Sequence, residues 1–250
     1  MKRRTALVLG TLILGTVSAW AYEPSLLNMT VPSALQQGDI DLLIQHRFYG
    51  SVLDNPLTTL FGLEIGANVA LGARYMILPG LVARVLYTTG GQEITVGAGY
   101  AYHLQNFPLA VQAEADFISP QGFTARGYGV FGLVTAEAGP FFNFGYLTVE
   151  AGYDSYLNHF GAGIGGRIEL NESWAVVGEF YPFIAEGIEQ HVEELGSSSA
   201  FSAGLMLTTA GHQFSLVIGN SSAVGERRLM AGTPGFTGLY LGFNIQRRLP

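Results

Sequence analysis

Apolar and polar residues alternate with a period of two along most of this chain, the period of extended strands whose two faces meet different surroundings. In Asp39–Phe48, Ile40, Leu42, Ile44 and Phe48 share one face, and Asp39, Asp41, Gln45 and Arg47 the other. Leu63, Ile65, Val69, Leu71 and Tyr75 oppose Glu64, Asn68 and Arg74, and Ile94, Val96, Ala98, Tyr100 and Tyr102 oppose Glu93, Thr95 and His103. Leu109, Val111, Ala113 and Phe117 oppose Gln112, Glu114 and Asp116. The same holds for Phe160–Leu170, Phe201–Thr208 and Leu239–Arg248. Weaker alternation marks Leu81–Thr88, Phe123–Thr135, Phe142–Tyr153, Trp174–Tyr181 and Gln213–Asn220. The pattern predicts about 12 antiparallel strands, most near the length that crosses a bilayer at a tilt.

Every second connection should then be short. Met76–Gly80, Gln105–Pro108, Glu137–Pro140, Asn171–Ser173 and Thr209–His212 are turn-sized, and most carry Pro, Gly or Asn. The long connections Tyr49–Gly62, Phe183–Ser199 and Asn220–Gly235 all fall on the other side. In the first of them, Asp54 or Asn55 could cap a short helix near 54–61, with Pro56 at its first position and Leu57, Leu60 and Phe61 on one stripe. Such a helix could dip into a barrel as a partial plug, lie at its rim, or have no gating role.

Composition removes the competing fold classes. Hydrophobic residues make up 48% of the chain and charged residues 12%, against roughly 25% charged in ordinary soluble domains. No stretch after the first 21 residues is apolar for the length a transmembrane helix needs. A transmembrane up-and-down β-barrel reconciles the two, since lipid-facing residues alternate with polar lumen residues. A soluble periplasmic sandwich is the rival, and it would turn the apolar faces inward against a second layer. With no Cys, neither a disulfide framework nor a thiolate metal site is available.

Residues 1–21 read as a secretory signal peptide: basic Met1-Lys2-Arg3-Arg4, an apolar run from Leu7 to Val17, and Ala19-Trp20-Ala21 as the cleavage site. A single N-terminal anchor is the competing reading, disfavoured because no polar stop-transfer flank follows. Residues 22–37 are then a periplasmic lead-in, and 38–250 the barrel. The net charge is −7, and removing the leader takes away three of the 12 basic residues and no acidic one. An acidic chain whose only Lys is Lys2 excludes nucleic acid as a partner.

Several stretches resemble a family of bacterial membrane-bound β-barrel proteins known as a domain of unknown function. They are Gly38-Asp39-Ile40-Asp41 leading into Gln45-His46-Arg47-Phe48, Phe61-Gly62-Leu63-Glu64, Gly219-Asn220-Ser221-Ser222, and Gly242-Phe243-Asn244-Ile245-Gln246-Arg247-Arg248. The resemblance implies an outer-membrane barrel and no particular reaction. Tyr87-Thr88-Thr89-Gly90 departs from the family's pattern, as does the final Pro250.

Little catalytic chemistry stands out. Gly161-Ala162-Gly163-Ile164-Gly165-Gly166 has dinucleotide-loop spacing, but strand alternation continues into Arg167-Ile168-Glu169-Leu170 where a helix would be needed, so small lumen-facing residues explain it better. The histidines His46, His103, His159, His191 and His212 lack metal-binding spacing. Ser155 and His159 near Asp154 form the one compact nucleophile set, in a segment where turn geometry already favours Ser and Asp. Glu186, Glu189, Glu193 and Glu194 with His191 could collect divalent cations on an exposed loop, or merely be solvated. No catalytic, cofactor or metal site is expected.

The lumen carries the functional expectation. Asp39, Asp41, Glu64, Glu93, Glu114, Asp116, Glu150, Glu169 and Glu179 should point inward with Arg47, Arg74, Arg84, Arg126, Arg167 and Arg248. They form either a mutually satisfied ladder across a narrow bore or the lining of a cation-biased pore. A porin-like passive pore for small polar or cationic solutes is the leading expectation. A closed structural barrel is the alternative, with the loops Phe183–Ser199 and Asn220–Gly235 binding a protein partner and Glu226-Arg227-Arg228 exposing charge there. An outer-membrane enzyme is disfavoured for want of a nucleophile and base. Besides outer-membrane lipid, small solutes or that protein are the expected partners.

Overall fold

A computed structural model describes residues 25–105, 107–121, 127–184, 196–235 and 238–250. Residues 1–24, where a signal peptide is expected, Arg126 and the acidic loop cluster lie outside the described residues.

The chain closes into a barrel of 12 antiparallel strands, each beside its sequence neighbours and the last beside the first. They are β1 (Ile40–Ser51), β2 (Ala67–Leu78), β3 (Leu81–Thr88), β4 (Glu93–His103), β5 (Leu109–Pro120), β6 (Gly129–Phe141), β7 (Gly145–Asp154), β8 (His159–Glu169), β9 (Trp174–Tyr181), β10 (Ala200–Thr209), β11 (His212–Gly219) and β12 (Tyr240–Leu249). The seam pairs Ile40 with Leu249, Asp41 with Arg248 and Arg47 with Gly242. Closure leaves no unpaired strand edge, as hydrocarbon demands.

The alternation read from the sequence is the alternation of the wall. Ile40, Leu42, Ile44, Leu71, Val96, Phe117, Val134, Val149, Ile164, Val176 and Leu216 stand exposed on the outside. Tyr75, Tyr100, Tyr102, Phe107, Phe141 and Trp174 ring the end where β1 begins and β12 finishes, here the terminal end, and Tyr49, Tyr87, Tyr128, Phe160 and Phe180 ring the other. Two aromatic girdles around an apolar band are the signature of a lipid-spanning barrel. Among the described residues no helix is long and apolar enough to cross a membrane.

Connections at the terminal end are short: 79–80, 104–108, 142–144, 170–173 and 210–211. Pro79-Gly80 and Ala210-Gly211 turn the chain in two residues, which Gly80 and Gly211 permit by adopting positive φ. The expected loop asymmetry is present, with three shifts. β6 runs on through Glu137–Pro140 to Phe141, so the turn falls at 142–144. Leu63–Ile65 form a 3-10 turn and not the start of β2, because Gly62 and Gly66 on either side hold positive φ and break the extended run. Residues 54–61 form successive turns and no helix, with Asn55, Leu60 and Phe61 at positive φ and Leu57 85% exposed. That loop does not plug the barrel.

Candidate functional site: the filled lumen

The inner face of the wall is polar, as the alternation requires. Asp41, Arg47, Arg74, Glu93, Glu114, Asp116, Glu150, Arg167 and Glu179 are all buried there, and Arg84 is nearly so. Asp41 pairs with Arg74 at 2.6 Å and Asp39 with Arg248 at 2.5 Å, near the terminal end. Arg167 lies over the Tyr146 ring at 3.9 Å and reaches Glu169 at 3.5 Å. Glu64 is not in the lumen: it sits exposed on the 3-10 turn.

Two segments of the chain itself occupy the interior. The first is Ser25–Val31, part of the stretch expected as a periplasmic lead-in. It runs inside the barrel instead, as a tight turn closed by a Ser25–Thr30 bridge and by Leu26 N donating to Met29 O at 3.0 Å. Leu26, Leu27 and Met29 have no solvent exposure. Burying each such side chain contributes roughly 1.5–3 kcal/mol.

Glu179 anchors this turn. Its Oε1 accepts the backbone N–H of Leu27, Asn28 and Met29 at 2.7, 2.8 and 3.0 Å, and its Oε2 accepts Asn28 Nδ2 at 2.8 Å. The carbonyls are held from the other side. Leu27 O accepts Asn244 Nδ2 at 2.6 Å and Gln45 Nε2 at 3.0 Å, and Ser25 O accepts Gln213 Nε2 at 3.2 Å. Gln246 donates to Ser25 Oγ. Arg47 donates to Asn28 Oδ1 at 3.0 Å and Asn244 Oδ1 at 2.8 Å. Further along, Ser33 N donates to Gln112 Oε1 at 2.8 Å, and His103 Nε2 lies 3.0 Å from Ser33 O.

The second segment comes from the loop between β11 and β12 and contains a short helix, α1 (Glu226–Met230). The charge of Glu226-Arg227-Arg228, expected on an exposed surface, instead lies inward: Glu226 and Arg227 are buried inside the mouth. Arg227 pairs with Glu93 and Asp154 at 2.7 Å each, and Arg228 with Glu93 at 2.8 Å. Glu226 meets Arg84 at 3.2 Å, and Arg84 also meets Glu114 at 2.7 Å and Asp116 at 2.5 Å. The inserted loop thus satisfies Glu93 of β4 and Asp154 of β7, while Arg84 of β3 is held chiefly by Glu114 and Asp116 of β5 and only secondarily by Glu226. Buried ion pairs hold in place when every partner is present.

The glycine run of β8 makes room for both segments. A Cβ on Gly163 would stand 2.6 Å from Met29 Cε, and one on Gly165 would stand 2.7 Å from Met29 Sδ and 2.8 Å from Leu26 Cδ1. On Gly161 it would collide with Met230, and on Gly204 of β10 it would meet the Leu216 carbonyl oxygen at 2.5 Å as well as Leu27 Cδ2 at 2.8 Å. The apparent dinucleotide loop is a cradle. Asp154, Ser155 and His159 are engaged separately: Asp154 with Arg227, Ser155 Oγ with Val130 N, and His159 Nε2 with Met230 O. A cavity of about 40 Å³ remains beside Asn28, Gln45, Arg74, Arg84 and Glu226. Towards the terminal end a vestibule of about 230 Å³ opens beside Val31, His103, Glu137, Tyr146 and Arg167.

Comparison with known proteins agrees with this architecture. The family described as "Membrane bound beta barrel domain (DUF5777)" matches residues 142–249. The fold is that of a porin-like outer-membrane β-barrel. The family match takes in the closing Gly242–Arg248 motif, while the opening motif at Gly38–Phe48 lies before it. Similar solved structures include a KdgM porin, at 10% identity and TM-score 0.51, covering 84% of this chain and 98% of that one. A NanC porin matches at 10% identity and TM-score 0.52, covering 84% of this chain and 100% of the other. No curated protein matches the sequence.

Proposed function

We propose that this barrel is a passive channel of the bacterial outer membrane for small polar or cationic solutes, closed in the present conformation by its own chain. One observation carries the reading. A barrel that serves only as a wall can fill its bore with wall side chains. Here β8 and β10 offer glycines instead, and the space is taken by two segments that the wall does not cover by itself. KdgM, a porin of similar fold, is recorded in complex with oligogalacturonate. The inner face of this chain carries more carboxylates than guanidinium groups among the described residues, which favours cations over anions.

Conductance of the purified protein in planar bilayers tests the proposal. Discrete openings, with larger permeability for potassium than for chloride, are expected. Silent membranes from protein shown to be folded, both intact and without residues 25–33, would overturn it. The second reading, a closed barrel whose loops bind a protein partner, draws on the same filled lumen and predicts that silence.

A further inference from the structure

The hydrogen bonds around Asn28 describe a receptor as well as an occupant. Glu179 on β9 takes the donor end of the Asn28 carboxamide, and Arg47 on β1 supplies its acceptor end. Ser202 Oγ lies 3.3 Å from the same Nδ2, and Asn244 and Gln45 present further N–H groups to Leu27 O beside Arg47. The wall thus offers one anionic pole and one cationic pole, bridged by a single small polar group. Both charges are buried, so whatever replaces that group must satisfy both of them.

From this we infer that the lumen holds a binding site for α-amino acids and short peptides, which Asn28 and the backbone of residues 27–29 occupy at rest. The ammonium group takes the place of Asn28 Nδ2 and of the three backbone N–H groups on Glu179. The carboxylate, or a peptide carbonyl, takes the place of Asn28 Oδ1 and Leu27 O before Arg47, Asn244 and Gln45. The Asn28 carboxamide bridges both poles without charge; a zwitterion adds a matching charge at each of them, whereas a simple cation or anion matches only one. Apolar side chains enter the space that Gly163, Gly165 and Gly204 keep open, now filled by Leu26, Leu27 and Met29. The inference deepens the channel reading and depends on it for access from outside, whereas the binding equilibrium itself is independent of conduction.

Calorimetric titration of the full chain in detergent with glycylleucine tests it. Asn28→Ala weakens the resident occupant without touching the wall. Because a competitor's hold sets the apparent affinity, this variant should bind glycylleucine about tenfold more tightly than wild type. Adding Glu179→Gln or Arg47→Gln should abolish that binding. If Glu179→Gln does not fold, Arg47→Gln should still remove the preference for glycylleucine over glycylleucinamide, which keeps the ammonium and the leucine side chain but has no carboxylate. Equal affinity of wild type and Asn28→Ala, or binding that survives loss of either pole, overturns the site. Bilayers that stay silent while glycylleucine binds would overturn the channel and leave the site standing.

Discussion

Gly163 and Met29 meet so closely that a single added carbon on the glycine would stand 2.6 Å from the methionine methyl. The contact joins a strand in the second half of the chain to a segment that precedes the first strand. A residue as large as leucine at this position must therefore displace at least the Met29 side chain from its seat.

Gly163→Leu tests this. Losing the burial of Met29 would cost about 1.5–3 kcal/mol, raising the released population roughly 10- to 100-fold. The chain contains no Cys, so Asn28→Cys gives a unique reporter whose labelling by a small thiol reagent should accelerate by that factor. An unchanged rate would show that the segment does not depend on the glycine track.

Arg227 holds α1 to both sides of the mouth through Glu93 and Asp154. Arg227→Ala removes one partner of a buried network, at a cost of roughly 3 kcal/mol to the docked loop. Arg228 should then become a site of tryptic cleavage, detected by mass spectrometry, while the wild-type loop resists. In Arg228→Ala the loop should stay resistant at Arg227, which Glu93 and Asp154 still hold.

Glu150 on β7 is buried, and neither carboxylate oxygen has a hydrogen-bond partner among the described residues. A buried acceptor without a partner costs about 1–3 kcal/mol, more when charged. Glu150→Gln should raise the temperature at which the folded band is lost on unboiled gels. A lower temperature would mean that the carboxylate is serving a contact made by the rest of the chain.

Leu216 points outward near the middle of β11, 68% exposed. Leu216→Arg should destabilise the barrel in lipid bilayers by about 2–4 kcal/mol in a urea titration. On a water-facing surface the same change would stay within about 0.5 kcal/mol, and that small value would argue for the sandwich.

The wall was legible in the sequence because a strand's two faces alternate locally. Asp41 opposite Leu42 and Glu114 opposite Ala115 need no knowledge of distant residues. Ser25–Val31 was not legible, since its Leu and Met side chains find their partners on β8 and β10, far along the chain. A clue existed in Gln45, Gln213, Asn244 and Gln246. Sheet pairing sets Gln45 beside Asn244 and Gln213 beside Gln246, a belt of neutral amides facing inward. Amide donors in a closed bore call for an occupant rich in carbonyls. Glu64 was misplaced for the opposite reason: Leu63 and Ile65 imitate strand alternation, while the flanking glycines end the strand short of them.

The stretch from Pro32 to Gly38 ties the buried turn to β1, and so short a leash reaches about 24 Å when fully extended. Once dislodged, the turn hovers near the mouth at an effective concentration on the order of millimolar. Any visitor to the bore competes with a rival that never diffuses away, so occupancy by solute would track the outside supply closely and lapse when that supply falls.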